Sequence, residues 1–266
     1  MLYNDLTPVL FEADDKGLGE IHVYGIGDIH VGAPNWDSGL TLEIVERIIS
    51  DPVGYVHLCG DLCNNGLKQS KTNSYFEVMN PVEQRQWVYE NLKPLTERII
   101  SAVPGNHEDR TTNAVGLSPI YDVMAMWGIE ERYRENLALS VVKFGVSYSG
   151  RKSVYGGLTT HGSSFHKHTK FITGFDGIDY AVSGHTHTPN YAPHGKIVLN
   201  LQNGTAKHVA YHELVVNPHM HPGDYAFKKE YEIKSPTRLD YFVLHNVTKG
   251  HNEPAKKAVD FCSIEI

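Results

Sequence analysis

Short, nearly continuous apolar runs alternate along this chain with stretches whose apolar residues recur every three or four positions. That alternation predicts buried strands punctuated by helices. Ile21–Gly27, Val53–Cys59 and Arg98–Val103 read as strands. From Ser38 the pattern turns helical, with Leu40, Ile44, Val45, Ile48 and Ile49 on one face and Glu43, Glu46 and Arg47 opposite. Pro81 opens a second helix that runs to about Arg98, and Ser118 and Pro119 supply the N-cap and first turn of a third that reaches Trp127. Residues 1–19 read as an irregular lead-in. The second half is richer in strands: Ala138–Phe144, Val146–Ser149, Val154–Thr160, Tyr180–Ser183, Ile197–Leu201, His208–Val216, Arg238–His245 and Ala258–Ile264, with a polar, helical stretch at Ser163–Thr173. No repeat, low-complexity tract or Pro/Gly/Ser linker divides the chain, so residues 1–266 read as one domain. Alternation followed by strands predicts an α/β sandwich of two sheets with helices outside.

The runs stop in an unusual way. Ala102-Val103 meets Pro104-Gly105, and the chain then places Asn106, His107, Glu108 and Asp109 in succession on a predicted loop. Taken alone, this is a polar turn of a kind that Asn and His commonly form. Four other strand ends carry matching groups, however: Asp28 and His30, Asp61, His161, and His185 with His187. Each lies beside a glycine, which lets the backbone turn sharply. Carboxylate, amide and imidazole are the donors that a borderline divalent metal accepts. Asp28 and Asp61 supply two negative charges, so two divalent ions would leave the pocket net positive and suited to a phosphate oxyanion.

Composition narrows the picture. The formal net charge is -7, which argues against a broad basic face tracking nucleic acid but leaves room for metals that meet phosphate. The 16 histidines sit largely in loops rather than apolar stripes, a distribution that fits ligation better than packing. Three cysteines without framework spacing suggest a reducing, cytoplasmic setting, and the flanking of Asp61 by Cys59 and Cys63 is weak evidence for zinc. The first residues show neither a basic nor an apolar signal region, and no apolar run approaches the ~18 residues that span a bilayer, so no membrane partner is expected. Oligomeric state is not legible.

Asp28-Ile29-His30, Gly60-Asp61, Gly105-Asn106-His107-Glu108, His161 and Gly184-His185-Thr186-His187, in this order, resemble the calcineurin-like metallophosphoesterase family. The resemblance covers about residues 21–205, with the last sixty outside it completing or capping the sandwich. It implies a four-layer α/β/β/α sandwich of two mixed β-sheets flanked by helices, and an enzyme that hydrolyses phosphoesters with two divalent ions. It would place Asp28, His30, Asp61 and His187 on one ion and Asp61, Asn106, His161 and His185 on the other, with Asp61 bridging. A water shared by both ions would attack phosphorus in line. His107 would bind no metal and would protonate the leaving alkoxide. Two adjacent loop residues rarely point at one ion, which agrees with separate jobs for Asn106 and His107. Manganese is the first expectation for the metal, with Fe, Zn, Ni and Co also suited to such ligands.

The branch of the family is read from smaller differences. The protein phosphatase branch carries Asp and Arg where this chain has Asn64 and Asn65, and Asn cannot replace a guanidinium that grips phosphate bidentately. His30-Val31-Gly32-Ala33-Pro34 looks more like phosphodiesterases and DNA-repair nucleases, and Gly105–Arg110 is similar to phosphoesterases of phages and prophages. The expected activity is therefore a phosphodiesterase or nuclease on a nucleic acid or nucleotide. The alternatives are a phosphomonoesterase on small molecules or phosphoproteins, and a non-catalytic scaffold. Asn64 and Arg110 are candidate substrate contacts, with a helix-start salt bridge as the other reading of Arg110. His22 and His57 read as packed or edge residues, and Trp36, Trp87 and Trp127 as core or rim. His208, His212, His219 and His221 read as mostly surface residues. The basic cluster of His166, Lys167, His168 and Lys170 reads as a solvated loop or a contact to the substrate backbone. Glu108 reads as a carboxylate that supports the ligands or the helix start.

Overall fold

A computed structural model of the protein describes residues 5–67, 77–162, 174–220, 238–250 and 256–266. Two mixed sheets face one another. The first is built from β2 (Glu20–Ile26), β3 (Gly54–Leu58), β4 (Ile99–Ala102), β10 (Arg238–His245) and β11 (Val259–Glu265), in the order β11-β10-β2-β3-β4. The second contains β1 (Val9–Glu12), β5 (Leu137–Phe144), β6 (Ser153–Thr160), β7 (Tyr180–Ser183), β8 (Asn190–Asn200) and β9 (Thr205–Val215), in the order β1-β5-β6-β7-β9-β8. β2, β3 and β4 run parallel, as do β6, β7 and β9, while β10 returns antiparallel to β2.

Side-chain alternation decides what each face meets. Ile21 and Val23 of β2 point between the sheets, where they join Phe144, Tyr155, Tyr180, Val182 and Phe242 in one core. Tyr24 and Ile26 point the other way, into a core closed by α1 (Ser38–Ser50), α2 (Pro81–Leu92) and α4 (Pro119–Met126) through Ile44, Ile48, Val88, Leu92, Ile120 and Met124. The outer face of the six-stranded sheet carries a smaller cluster of Leu158, Ile178, Ala181 and Tyr211. The predicted helix at Ser163–Thr173 lies outside the described residues, as do His166, Lys167, His168, Lys170 and His221. Among the described residues no helix is long and apolar enough to cross a membrane.

Four local expectations need correction. The lead-in contains β1, which pairs parallel with β5, because Val9 and Phe11 alternate inward over only four residues. The helix from Pro81 stops at Leu92; Pro94, which lacks an N–H and restricts the residue before it, tightens Lys93–Arg98 into a 3-10 turn. Val146–Ser149 is the connection between antiparallel β5 and β6, bracketed by Gly145 (φ 50°) and Gly150 (φ 74°). The loop after Gly105 is the first turn of α3 (Asn106–Val115), so Asn106 and His107 project from a helix N-terminus. Among the described residues from Thr205 onwards, β10 and β11 lie in the first sheet, where β10 pairs with β2 along Ile21–Tyr24, while β9 belongs to the second.

Candidate metal centre

All five polar strand ends meet at one end of the sandwich. β2, β3 and β4 deliver Asp28 and His30, Asp61, and Asn106 and His107, while β6 and β7 of the other sheet deliver His161, His185 and His187. Asp61 stands at the centre. Its Oδ2 lies 3.2 Å from His161 Nε2, 3.7 Å from His30 Nε2 and 3.8 Å from His107 Nε2. Asp28 Oδ1 is 3.8 Å from His187 Nε2, and His30 and His187 approach at 3.1 Å between their Nε2 atoms. On the open side, Asn106 Oδ1 lies 3.0 Å from His161 Nε2 and 2.8 Å from His185 Nδ1. Asp28, His30, Asp61, His107, His161 and His187 are buried, His185 is half-buried and Asn106 is exposed. The site therefore has a closed floor and a mouth at Asn106 and His185.

The backbone of this end is unusual. Asp28, His30, Asp61, His185 and His187 all have positive φ, between 50° and 75°. Left-handed backbone at a non-glycine residue costs on the order of 1 kcal/mol or more and persists where the surroundings over-determine it. The expected division of labour is thus only partly kept: Gly60 (φ 82°) and Gly162 (φ 88°) turn left-handed beside Asp61 and His161, but Gly27 and Gly184 do not, and there the turns fall on the polar residues themselves. Glycine is instead required for close approach. A Cβ at Gly105 would sit 2.1 Å from Asp61 Oδ1, so only glycine admits that carboxylate beside the start of α3.

Among the described residues, three overlapping groups of side chains bring their donor atoms within 4.8 Å of one another: Asp28, His30 and His187; His30, Asp61 and His107; and Asp28, Asp61 and His161. Buried carboxylates interleaved with imidazoles fit a pair of divalent ions, because the donors are hard enough for Mn and soft enough for Zn or Ni. Electrostatics agree. Burial pulls the affinity of His30 for a proton well below the usual imidazole range and lowers that of His185, leaving the neutral rings that ligate metals. Burial also opposes charge at Asp61, yet the His161 ring beside it holds its carboxyl well below the usual range. Burial opposes a proton on His161 in turn, but Asp61 and Asp28 raise its pKa to about 10, so this ring carries a positive charge that a bound cation would replace. A buried, ionised carboxylate among imidazoles is the charge pattern that a cation completes.

Main-chain groups set the surroundings of His107. Its Nδ1 lies 2.6 Å from the main-chain oxygen of Asn64, which can only accept, so Nδ1 carries the proton and Nε2 faces Asp61. Asn64 thus orients His107 through its carbonyl, while its side-chain amide donates to Glu77 at 2.8 Å. Arg110 also donates to the Asn64 carbonyl, at 3.2 Å. The supporting role read for Glu108 takes a definite form: its buried carboxylate accepts from the main-chain N–H groups of Asp61 (2.9 Å), Cys63 (2.8 Å) and Gly105 (2.8 Å), stapling the Asp61 turn to the start of α3. Burial raises its pKa to about 7.

The remaining histidines sort by partner. His57 is enclosed between the sheets, with Nδ1 2.8 Å from both Ser101 Oγ and Thr159 Oγ1 and Nε2 3.0 Å from the Tyr180 hydroxyl. His22 is tied to Asp51 at 2.6 Å. His219, expected at the surface, is buried; its main-chain N–H donates to the Asp28 carbonyl and its Nδ1 lies 3.2 Å from Thr41 Oγ1. Trp36 and Trp87 pack edge to face at 4.7 Å on the rim of the helical layer. Gln84 and Glu77, which with Asn65 hold the Asn64 loop, were not legible as site residues, because no local pattern marks a helix glutamine as a partner of a distant loop.

The family model for calcineurin-like phosphoesterases matches residues 21–189, well over half of the chain. None of the curated proteins matches. Among solved structures, a conserved uncharacterised protein of Streptococcus pneumoniae TIGR4, described as a predicted phosphoesterase, is similar at 13% identity and a TM-score of 0.35, covering 91% of this chain and 98% of that one. A metallophosphoesterase of Sphaerobacter thermophilus is similar at 16% identity and a TM-score of 0.39, covering 92% of this chain and 89% of that one.

Proposed function

The chain belongs to the calcineurin-like phosphoesterase family, and from that premise we propose that it is a two-metal phosphodiesterase whose substrates include nucleotides or nucleic acid. The observation that carries the reading is the convergence of Asp28, His30, Asp61, His161 and His187 with Asn106 and His185 around a single carboxylate, with His107 Nε2 facing it across 3.8 Å. Bound divalent ions, manganese first among them, would activate water and neutralise phosphoryl charge there. Asp61 would be shared between the ions, with Asp28, His30 and His187 at the closed floor and Asn106, His161 and His185 towards the mouth.

His107 takes the separate task of meeting the leaving oxygen. Burial keeps its ring neutral, while Asp61 and the Asn64 carbonyl favour its proton. An arriving phosphate anion adds to that pull, so the ring can hold a proton at Nε2 and give it up as the ester bond breaks. Preference for a diester follows from missing cations. Where a guanidinium would clamp a phosphate dianion, this chain has Asn65, whose amide donates to the His107 carbonyl at 2.6 Å. A singly charged diester needs less compensation than a dianionic monoester. Arg110, at the same loop, is the candidate contact for a further substrate phosphate.

The test is a metal-by-substrate matrix with the full chain: Mn, Fe, Zn, Co and Ni against an aryl phosphomonoester, an aryl phosphodiester, cyclic nucleotides, and single- and double-stranded DNA. Faster cleavage of the monoester than of any diester would overturn the diesterase reading. Full metal occupancy without turnover on any ester would favour the non-catalytic scaffold.

A further inference from the structure

His107 is clamped by a loop that is in turn held from a distant helix. Its ring donates to the Asn64 carbonyl, its main-chain N–H donates to Asp61 Oδ1 at 2.8 Å, and its main-chain oxygen accepts from Asn65 Nδ2 at 2.6 Å. The Asn64–Asn65 turn therefore sets where the ring lies. Asn65 has φ 49°, a conformation that needs external support. That support comes from Gln84 in α2. Gln84 Oε1 accepts the Asn65 main-chain N–H at 2.7 Å, and its Nε2 donates to Glu77 Oε2 and to the Met79 carbonyl, both at 2.8 Å. Glu77 Oε1 then takes the Asn64 side-chain amide at 2.8 Å. Gln84 has no exposed surface, and all of these groups are oriented by one another.

The placement is built in. α2 starts from a full capping box between Asn80 and Glu83 with Pro81 in its first turn, which fixes the angle at which Gln84 enters. Opposite it stands Gly32, at φ 89°, where a Cβ would lie 2.5 Å from Gln84 Nε2, so the backbone makes room for this amide. A buried amide with both ends committed costs free energy unless every partner is met, and a hydrophobic residue would fill the space more cheaply. We infer that Gln84, together with Glu77, is a positioning residue for His107, holding the Asn64 carbonyl where it fixes the ring's tautomer and aims Nε2 at the leaving group. The inference rests on the reading of His107 as the leaving-group acid.

The test uses Gln84→Met, which keeps length and removes both polar atoms, and the exchange Glu77→Gln with Gln84→Glu, which restores an acceptor for Asn65 and a complementary pair. Each is measured with Mn²⁺ on an alkyl and an aryl phosphodiester. Gln84→Met is expected to lower kcat on the alkyl ester by about 10- to 100-fold, to affect the aryl ester far less, and to leave KM and metal content unchanged. The exchange is expected to recover most of the loss. The independent readout is the ¹⁵N spectrum of the His107 ring in metal-free protein, assigned with His107→Asn: the Nδ1-protonated form dominates in the parent and loses that dominance in Gln84→Met. Equal losses on both esters, or an unchanged tautomer, would overturn the inference. If His107→Asn itself shows no dependence on leaving group, the acid reading fails, while the ring spectrum still judges the positioning. Should Gln84→Met not fold, Glu77→Gln at its half-exposed position is judged by the same two readouts.

Discussion

At the level of single residues, Asp61 and His107 separate what the site must hold from what it must do. Asp61 is the atom centre to which His30, His107 and His161 all point. Asp61→Asn removes the charge that two ions would share, and both metal content by elemental analysis and turnover are expected to collapse while the fold survives. Unchanged metal content would refute the bridging role. His107→Asn is expected to leave metal content intact and to slow an alkyl ester by about 10²- to 10⁴-fold, with a smaller loss on an activated aryl ester that needs little protonation. The donor types at these positions were plain in the sequence. That Asn64 would orient His107 with its carbonyl and spend its side chain on Glu77 was not, because main-chain partners leave no trace in residue identity.

Among elements, strand-helix alternation was readable because each strand is a short apolar run bounded by Gly, Pro or polar residues. Errors fell where a local rule was overridden. β1 is too short to show a period and is a strand only because β5 lies beside it. α3 begins at Asn106 because the Glu108 carboxylate caps the Gly105 N–H, a signal hidden inside the motif itself. The junction of β4 and α3 yields a prediction that isolates space from backbone strain. Gly105 has φ -103°, which any residue adopts, yet a Cβ there would lie 2.1 Å from Asp61 Oδ1. Because that Cβ would also lie 2.3 Å from the Asp61 main-chain nitrogen, Gly105→Ala is expected to shift the Asp61 turn together with its carboxylate and to cut metal content severely, with the far-ultraviolet dichroism of the parent retained. Full metal loading of the variant would show that the turn relaxes freely.

For the whole molecule, two sheets bring together groups far apart in sequence: the His185 N–H donates to Asp28 Oδ1 across 157 residues. Left-handed turns and buried like groups at that junction are costs that ligation would offset, so metal binding should stabilise the fold. Metal at about 100 times its dissociation constant adds about 2.7 kcal/mol, and chelation is expected to lower Tm by several degrees, restored by Mn²⁺. An unchanged Tm would mean that the ions contribute nothing to the native state. The second global effect comes from His57. Burial pushes its proton affinity down to about 3, against an ordinary value of 6.5. Below pH 6.5 the unfolded chain takes up a proton that the folded chain refuses, so stability is fully present above that pH and is lost as pH falls towards 3. The expected slope is about 1.4 kcal/mol per pH unit from this one residue. Urea unfolding of metal-free protein between pH 7 and pH 5 measures it, and His57→Gln is expected to flatten the slope by that amount.

The sequence by itself determined which chemical groups stand at the ends of strands and in what order, since apolar period and polar interruption are local properties that survive without a fold. From those it determined an α/β sandwich and a donor set fit for divalent ions. Tertiary structure decided which histidines meet a carboxylate at the site and which pack: His30 and His57 both end up buried near strand ends, one beside Asp61 and the other among Ser101, Thr159 and Tyr180. It also decided that the turns fall on Asp28, His30, Asp61, His185 and His187, and that a helix glutamine reaches the loop beneath His107. The physical reason is common to all three. A side chain's partner and a backbone's tolerated strain depend on what the far parts of the chain bring alongside, and residue type alone carries no record of that.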